Sequence, residues 1–356
     1  MRRRPVLLPL LALLLVSCDT QPRALPPSHP AVASGDTLVA PVVGISHAVR
    51  RPDGTWVLLA PQEMQVLVAD FAAGTVERHP GMTSEMIPGP TMLFGLADTV
   101  WVGDWGLQRV TAWLPDGRRI DAVPTPAALR GAFPRARDAA GQWYFELTSP
   151  PGSAAGIRDS GAVVRADPLL TRFDTVARVA PPELVEVEEH GRVVLQPLVL
   201  AGRDRWDVLR DGTLWLARVQ QNRVGWYPPS GEPRRTRPLA DAIIPVAEMD
   251  RQLYLQRFPV DQRPDPSMLR FALVKPAFER AFHDPAGRVW LFKSAPALDS
   301  VRSFQVADST GWVQSVTLPT YGTALGLADG EVLVGEEFPD GVRLLRFAIP
   351  QEAWPE

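Results

Sequence analysis

The sequence predicts an all-β fold: a six-bladed β-propeller with a short helical insertion in a late blade. Three observations carry this prediction. A short strand follows an Asp- or Gly-containing turn at six places, and it usually holds an aromatic residue. Most of the intervals between these strands fit one four-stranded blade. No long stretch shows the sustained apolar periodicity of an amphipathic helix.

The chain begins with the features of a lipoprotein signal. Basic residues 2–4 precede an apolar run at residues 6–16, which is too short to cross a bilayer because a spanning helix needs about 20 residues. The run ends in Leu-Val-Ser-Cys18, which resembles a bacterial lipobox. An ordinary secretory signal with a chance cysteine is the alternative. We predict a signal peptide at residues 1–17, lipid attachment at Cys18 and a proline-rich tether at residues 18–34.

Composition limits the classes of function. Cys18 is the only cysteine, so a folded part that begins after it has neither disulfides nor a thiol-based site. Lys and Arg together number 37 against 40 Asp and Glu, a balance that disfavours nucleic acid as a partner. We expect one monomeric propeller domain at residues 35–350 and a tail at residues 351–356. Export places it in the cell envelope, facing the periplasm or the cell exterior.

The repeat is measured between equivalent residues of the six strands. The intervals are 45, 42, 72, 75 and 43 residues, and the markers are Trp56, Trp101, Trp143, Trp215, Trp290 and Leu333. Three intervals match one blade of about 40–45 residues. The two long ones contain either an insertion of about 30 residues or an unrecognised blade. Six and seven blades therefore both stay open.

The repeats also agree in the residues that follow each marker. In residues 211–231 an Asp-Gly turn opens a strand around Trp215, a polar connection follows, and a second strand covers residues 223–227. Equivalent second strands are predicted at residues 109–114 and 342–349. An irregular β-sandwich with scattered tryptophans would not produce this shared register. The two tryptophans of this stretch, Trp215 and Trp226, are expected to pack between blades.

Three further elements complete the prediction. The pattern of residues 186–200 predicts a hairpin around His190 and Gly191. Residues 246–257 are predicted to form the one short helix. The last unit has only three evident strands. We expect residues 36–43, near the other terminus, to supply its outer strand and so remove an open sheet edge.

The order of motifs supports a family resemblance. Asp211-Gly212, Trp215, the turn Ile244-Pro245-Val246 and the later Lys275-Pro276-Ala277-Phe278 follow one another as in a group of exported bacterial six-bladed propeller lipoproteins of the NHL/TolB-like kind. In that group a helical insertion follows a similar proline turn. The resemblance covers residues 33–349. It implies the architecture and carries no common activity.

Candidate ligand-binding residues lie three positions after each marker, where the strand is expected to reach the mouth of the central channel. These positions are Leu59, Asp104, Glu146, Arg218, Lys293 and Glu336. Five of the six are charged, with both signs present, which favours a polar ligand. The alternative is a set of exposed charges at strand ends. Fold alone names no function.

No catalytic or metal motif is evident. His47 and His283 are expected at opposite ends of their blades, His29 in the tether, and His79 and His190 in loops, which disfavours a three-His zinc site. Asn222 is the only asparagine, which disfavours a lactonase-type calcium site. The motifs GxSxG, HExxH and a glycine-rich phosphate loop are absent. We predict neither a metal nor a cofactor.

The sequence therefore favours a membrane-tethered, exported propeller that binds a ligand or partner: a peptide, a glycan or a protein. This interpretation disfavours an enzymatic function. The alternative is a propeller hydrolase or lyase in which Glu146, Asp104 and Glu336 surround a channel-mouth metal.

Overall fold

A computed structural model describes residues 26–129, 131–147, 160–189, 191–258, 260 and 263–354. The predicted signal peptide, Cys18, the tether up to residue 25, His190 and the last two residues lie outside the described residues. The described chain begins with two strands, β1 (Ser28–Pro30) and β2 (Val32–Ala40). It then forms six blades of antiparallel strands arranged in a ring.

The first three blades follow in chain order. Blade 1 holds β3 (His47–Arg50), β4 (Trp56–Ala60), β5 (Gln65–Asp70) and β6 (Thr75–Arg78). Blade 2 holds β7 (Pro90–Leu96), β8 (Thr99–Asp104), β9 (Arg109–Trp113) and β10 (Arg119–Pro124). Blade 3 holds β11 (Pro134–Arg137), β12 (Trp143–Leu147), β13 (Gly161–Ala166) and β14 (Phe173–Val179).

A two-stranded hairpin, β15 (Leu184–Glu189) and β16 (Arg192–Pro197), separates blade 3 from blade 4. Blade 4 holds β17 (Arg205–Val208), β18 (Leu214–Arg218), β19 (Arg223–Tyr227) and β20 (Arg234–Arg235). The helix α1 (Glu248–Gln256) follows. Blade 5 holds β21 (Phe278–His283), β22 (Val289–Lys293), β23 (Arg302–Asp308) and β24 (Gly311–Leu318). Blade 6 holds β25 (Thr323–Ala328), β26 (Glu331–Phe338) and β27 (Gly341–Ala348).

The six inner strands close a ring around a central channel. Each contacts the inner strand of the next blade, in the order β3, β7, β11, β17, β21 and β25, and β25 contacts β3 again. The fold is therefore a six-bladed propeller, as predicted. The two long repeat intervals contain insertions, the hairpin β15–β16 and the segment with α1, and not a seventh blade.

All six markers lie in the second strand of their blade. Turns with glycines at positive φ precede several of these strands, for example Gly54 (φ 89°) and Gly212 (φ 84°). In the fourth repeat the Asp211 carboxylate accepts a hydrogen bond from the Thr213 backbone N–H at 2.8 Å. This side-chain-to-backbone turn is what the Asp-Gly-Thr sequence encodes.

The core is divided into six clusters, one between each pair of neighbouring blades. Trp215 and Trp226 are both buried in the cluster between blades 4 and 5, as predicted. Between blades 6 and 1, Trp56 packs against the inner strand β25. A Cβ at Gly326 would lie 2.6 Å from the Trp56 ring, so glycine allows this close approach of the two blades.

The ring is closed by the N-terminal strand β2. It pairs antiparallel with β27, from Val32 opposite Ala348 to Ala40 opposite Val342, and so becomes the outer strand of blade 6. The prediction of an N-terminal closing strand is confirmed. The strand covers residues 32–40 and not 36–43, because Val32 and Ala33 also pair with β27 on the far side of a bulge between Ala33 and Thr37.

Both ends of the described chain pack on the propeller. Strand β1 adds in parallel to β24 of blade 5 and β2 begins at Val32, so residues 28–30 and 32–33, assigned to the tether from sequence, are paired with the domain. At the other end, residues 351–353 form a 3-10 turn, and the Trp354 ring lies 5.7 Å from Trp290. Backbone hydrogen bonds hold the β1 segment, for example from the Ala31 N–H to the Thr317 carbonyl at 2.8 Å, whereas the buried Ala353 and the Trp354 ring hold the C-terminal turn.

Each inner strand begins at one face of the ring, which we call the mouth face, and ends at the opposite turn face. Chain segments that connect one blade to the next lie at the mouth face, so both insertions are there. They contact each other, since the Val199 N–H donates to the Arg270 carbonyl at 2.7 Å.

The helix α1 covers most of the predicted residues 246–257. It begins where the Asp250 carboxylate accepts a hydrogen bond from the Ala247 N–H at 2.9 Å. The segment around α1 is fixed to the propeller by the chain's two lysines. Lys275 forms an ion pair with Asp250 of α1 and donates to the Ala295 carbonyl of blade 5 at 2.6 Å, and Lys293 of blade 5 pairs with Asp241. In the part of the chain that the structure describes, no helix has the length and apolarity needed to cross a membrane.

Candidate functional site: the channel mouth

Strand register places the sequence-selected positions at the mouth face. Leu59 pairs with His47, Asp104 with Pro90, and Lys293 with Phe278, and each of these partners begins an inner strand. Glu146, Arg218 and Glu336 occupy the same end of β12, β18 and β26. A side chain whose polar atoms are already bonded to other protein groups has little capacity left to bind a ligand.

The side chains of Asp104 and Lys293 form hydrogen bonds and ion pairs with other groups of the protein. Asp104 is fully buried, and its Oδ1 accepts hydrogen bonds from the N–H groups of Gly89, Gly106 and Leu107 at 3.1, 2.9 and 3.3 Å. It therefore shapes the loop after β8. Lys293 donates to the Asn222 side-chain oxygen at 3.0 Å and pairs with Asp241. Both fix connections at the mouth face.

Arg218 and Glu336 have local partners as well. Arg218 pairs with Asp204 at 3.1 Å and donates to the Arg178 carbonyl at 2.7 Å. Glu336 accepts from the Thr320 hydroxyl at 2.8 Å. Leu59 is fully buried. No contact joins these residues to one another, and of the six selected positions only Glu146 meets the group described next.

Three arginines converge at the mouth from successive blades. Arg135, Arg205 and Arg280 lie at or near the beginning of the inner strands β11, β17 and β21. Their charges act on one another and on His47 of blade 1. Together with Glu146 we call these five residues the mouth cluster.

The contacts of the arginines show how the cluster bridges blades. Arg280 donates to the Ser46 carbonyl of blade 1 at 2.7 Å, reaching past blade 6. Arg205 donates to the Glu279 carbonyl of blade 5 at 3.1 Å. Arg135 forms an ion pair with Glu146, and its guanidinium lies 5.3 Å from the Trp206 ring of blade 4.

Two β-bulges help to place these side chains. The pairing of β11 with β12 shifts between Pro134 and Ala136, and that of β21 with β22 shifts between Phe278 and Arg280. A bulge turns a side chain out of the regular alternation of a strand. The shifts flank Arg135 and precede Arg280, at the points where the strands enter the channel.

The mouth cluster has an excess of positive charge. Three guanidinium groups face one carboxylate, Glu146, because the nearby Glu279 carboxylate pairs with Arg302 at 2.8 Å. Burial, with Arg280 and Arg135 nearby, lowers the pKa of Arg205 to about 10. Burial also lowers the pKa of Arg280. Both groups remain charged at neutral pH and therefore repel each other.

Hydrogen-bond donors in the cluster exceed the acceptors. A guanidinium group has five N–H donors. Among the described residues, Arg205 and Arg280 each make a single hydrogen bond, and the buried Nε of Arg205 has no partner. A buried donor without a partner is costly. The cluster is therefore suited to accept oxygen atoms of a negatively charged group.

His47 contributes polarity without charge. Its Nδ1 lies 3.2 Å from the Ser46 hydroxyl. Burial and the charges of Arg280, Arg135 and Arg205 lower the pKa of His47 to about 3. The imidazole is thus neutral over the physiological range and able to donate or accept a hydrogen bond.

This low pKa predicts acid sensitivity. In the unfolded chain a histidine takes up a proton near pH 6.5, whereas folded His47 does not until about pH 3, so protonation favours the unfolded state in between. We expect the free energy of unfolding to fall as the pH is lowered from 6.5 to 5, with His47 contributing on the order of 1–2 kcal/mol. Urea titrations of wild type and His47→Gln at pH 7 and pH 5 measure this. Equal losses in both proteins would contradict it.

A second polar pair lies further along the channel. Asp207 follows Arg205 by two residues, on the same face of β17, and its Oδ2 lies 3.7 Å from Nε2 of His283. The Nδ1 of His283 lies 3.3 Å from the Asp284 carbonyl. Desolvation inside the channel raises the pKa of Asp207, although 44% of its side chain is exposed, and the charge of His283 opposes this shift. His47 and His283 lie at opposite ends of their inner strands, as expected.

Other polar groups do not form a comparable site. Within the described ranges, no group of three His, Cys, Asp or Glu side chains is placed to hold a metal ion. A cleft of about 440 Å³ on the turn face is lined by Asp138, Asp167, Asp174 and Asp211. Those carboxylates are already hydrogen-bonded or paired, for example Asp167 with Thr171 and Asp174 with Arg165. They stabilise turns between strands.

Sequence reasoning missed the three arginines. It selected the end of each second strand, which lies at the mouth face, and overlooked the strand that lines the channel. The available signal was an arginine at the first residues of three successive inner strands. That signal becomes visible only when the inner strands are aligned by register, and the bulges at residues 135 and 279 disturb this alignment.

Comparisons with known proteins add little about function. No family model matches the sequence, and no curated protein matches it. Among solved structures, virginiamycin B lyase from Staphylococcus aureus is 11% identical, with a TM-score of 0.47, covering 88% of this chain and 98% of that one. A DUF4221 member from Bacteroides vulgatus is 10% identical, with a TM-score of 0.46 and coverages of 89% and 97%. A gluconolactonase from Xanthomonas campestris is 13% identical, with a TM-score of 0.46 and coverages of 90% and 98%. Identities this low transfer no activity.

Proposed function

We propose that this chain is an exported, lipid-anchored propeller that binds an anionic ligand at the mouth cluster. The observation that carries the proposal is the convergence of Arg135, Arg205 and Arg280 at the mouth of the central channel, where Glu146 pairs with Arg135. The guanidinium groups outnumber Glu146, and the next carboxylate, Asp207, lies further along the channel, where it also interacts with Arg135. An anionic group bound among the arginines would reduce this excess of positive charge.

The donor geometry narrows the ligand class. Planar guanidinium groups bind carboxylate, phosphate and sulfate oxygens in pairs, and such charge-assisted hydrogen bonds are stronger than neutral ones. The neutral His47 adds a polar contact that does not repel a hydroxyl or amide next to the anion. We therefore propose a ligand that presents carboxylate, phosphate or sulfate oxygens to the arginines.

Binding is tested with a double variant, Arg205→Gln and Arg280→Gln. Succinate, citrate, glucarate, phosphate and sulfate are titrated at constant ionic strength while the melting temperature is recorded. We expect at least one dianion to raise the melting temperature of wild type, because binding to the native state stabilises it. The double variant should bind that anion at least 10-fold more weakly.

Arg343→Gln is the matched control. Arg343 is also an arginine at the mouth face, paired with Glu336, but its side chain is 46% exposed and lies outside the mouth cluster. Its loss should leave anion binding unchanged. If no anion in the panel stabilises wild type, or if the control and the double variant behave alike, the proposed binding site is wrong.

An enzymatic function is the second candidate. The acidic, metal-assisted site considered from sequence has little support, because Asp104, Glu146 and Glu336 are held by neighbouring protein groups. The pair Asp207–His283 supports acid–base chemistry instead, since a carboxylate beside an imidazole can orient and charge it. Turnover of a bound anion that His283→Gln abolishes without weakening binding would favour this candidate.

The membrane anchor is a separate part of the proposal. Cys18 supplies the thiol for lipid attachment, and β1 begins ten residues later at the outer edge of blade 5. We expect wild type, expressed in a bacterium with lipoprotein processing, to sediment with membranes. Cys18→Ala should be at least 10-fold enriched in the supernatant. Membrane association of the variant equal to that of wild type would contradict lipid anchoring.

A further inference from the structure

Exposed apolar side chains are concentrated on the mouth face. Most of the large apolar residues with substantial exposure lie in its loops and insertions, whereas Val32, Val39 and Ile120 lie on outer strands and Leu169 lies on the turn face. An asymmetric apolar surface of this kind marks an interaction site.

Five of these residues form what we call the apolar rim. They are Trp105, Leu273, Leu298, Tyr321 and Phe338, with exposures of 64%, 85%, 61%, 63% and 44%. They come from different segments: Trp105 from blade 2, Leu273 from the α1 insertion, Leu298 from blade 5, and Tyr321 and Phe338 from the beginning and the second turn of blade 6.

Two members of the rim lie next to residues that begin inner strands of the channel. The Trp105 ring lies 6.3 Å from Phe133, which immediately precedes the strand that carries Arg135. Tyr321 stands two residues before the inner strand β25. Aromatic side chains therefore lie in the mouth-face loops next to the inner strands of blades 3 and 6.

The positive charge of the mouth cluster and the apolar rim around it together indicate the chemistry of the ligand. The mouth cluster requires a negative group, and the surrounding rim requires apolar surface. A polypeptide segment supplies both when an acidic residue, or a terminal carboxylate, is flanked by aromatic or aliphatic residues. Tryptophan and tyrosine are typical anchors of such interfaces, and arginine is the usual partner of the carboxylate.

A lipid surface fits less well. Arg205 and Arg280 lie on inner strands that line the channel, and the unpartnered Nε of Arg205 is buried, so a flat bilayer surface does not reach this donor. Exposed carboxylates such as Glu248 and Glu337 also lie at this face and repel anionic headgroups. An extended peptide side chain can enter the channel mouth.

We propose that the anionic ligand of the mouth cluster is part of a polypeptide: a segment that places one carboxylate among Arg135, Arg205 and Arg280 and packs its apolar neighbours on the apolar rim. This inference rests on the proposed function and specifies its ligand. Recognition then requires both surfaces, the arginines for the charge and the rim for the neighbouring side chains.

The test uses the full chain carrying Cys18→Ala and a random linear peptide library displayed on phage. We expect enriched peptides to share an acidic residue next to an aromatic or aliphatic one. A synthetic peptide of the enriched sequence should lose at least 10-fold in affinity when its acidic residue is changed to the amide. Arg205→Gln in the protein should cause a similar loss.

The rim is tested by Trp105→Ser combined with Tyr321→Ser. Peptide affinity should fall at least 5-fold, while the stabilisation by a small dianion stays unchanged. Small-anion binding through the arginines without any enriched acidic peptide would overturn this inference and leave the proposed function standing. Absence of arginine-dependent binding of either kind would overturn both. Rim-dependent binding of the Cys18→Ala protein to phosphatidylglycerol vesicles, in place of peptide, would identify a lipid surface and also overturn it.

Discussion

Deletion of residues 1–40 is expected to abolish the cooperative unfolding transition of the propeller. The deletion removes β2, which pairs along the length of β27 and completes blade 6. It also removes Leu38 and Ala40 from the cluster between blades 6 and 1. Truncating one buried leucine costs about 2–5 kcal/mol, and the exposed edge of β27 adds an aggregation site. A loss of this size is comparable to the whole stability of many domains.

The measurement is thermal unfolding followed by circular dichroism, with the oligomeric state followed by gel filtration. Deletion of residues 1–25 is the matched control, because it leaves β1 and β2 in place, and it should melt as a single transition. We expect the longer deletion to aggregate or to melt without a cooperative transition. A sharp transition within a few degrees of the control would show that blades 1 and 6 hold together without the N-terminal strand.

Replacement of Lys293 by methionine is expected to destabilise the protein by about 3 kcal/mol. The Lys293 ammonium is nearly buried, with 9% of the side chain exposed, and it joins Asp241 and Asn222. Its removal leaves the Asp241 carboxylate without its cation and the Asn222 side-chain oxygen without its donor. The 30% exposure of Asp241 allows partial hydration, which keeps the expected cost at the lower end for a broken buried pair.

Arg343→Met serves as the comparison. It also removes a cation beside a carboxylate, but the Arg343 side chain is 46% exposed and the two charged atoms are 3.6 Å apart. Such exposed pairs contribute at most about 1 kcal/mol. Urea unfolding of both variants measures the difference. Equal destabilisation of the two would mean that the Lys293 pair does not anchor the segment around α1.

Much of the fold could be predicted from sequence because propeller blades repeat a local structure. An Asp-Gly turn and a buried tryptophan are encoded within about ten residues, so Trp56 and Trp215 identify their strands without any long-range information. The number of blades was harder to establish. A two-stranded hairpin between blades 3 and 4 has the same alternation as part of a blade, and only the contacts of the inner strands distinguish an insertion from a blade.

The candidate site could be predicted only in part. The register correctly assigned Asp104 and Lys293 to the mouth face, but their partners come from loops whose paths the sequence does not determine. Arg135, Arg205 and Arg280 lie in different blades, up to 145 residues apart in the sequence. Their convergence follows from closing the ring, which is a property of the whole fold. A charge cluster made in this way leaves no local motif.

The two lysines that fix the segment around α1 have a practical consequence for chemical labelling. Lys275 and Lys293 carry the only side-chain amines of the protein, and their side chains are 11% and 9% exposed. Reagents that acylate amines will therefore react slowly with them in the native protein. Acylation at either lysine, read by mass spectrometry, would report the moment at which the segment around α1 separates from blade 5.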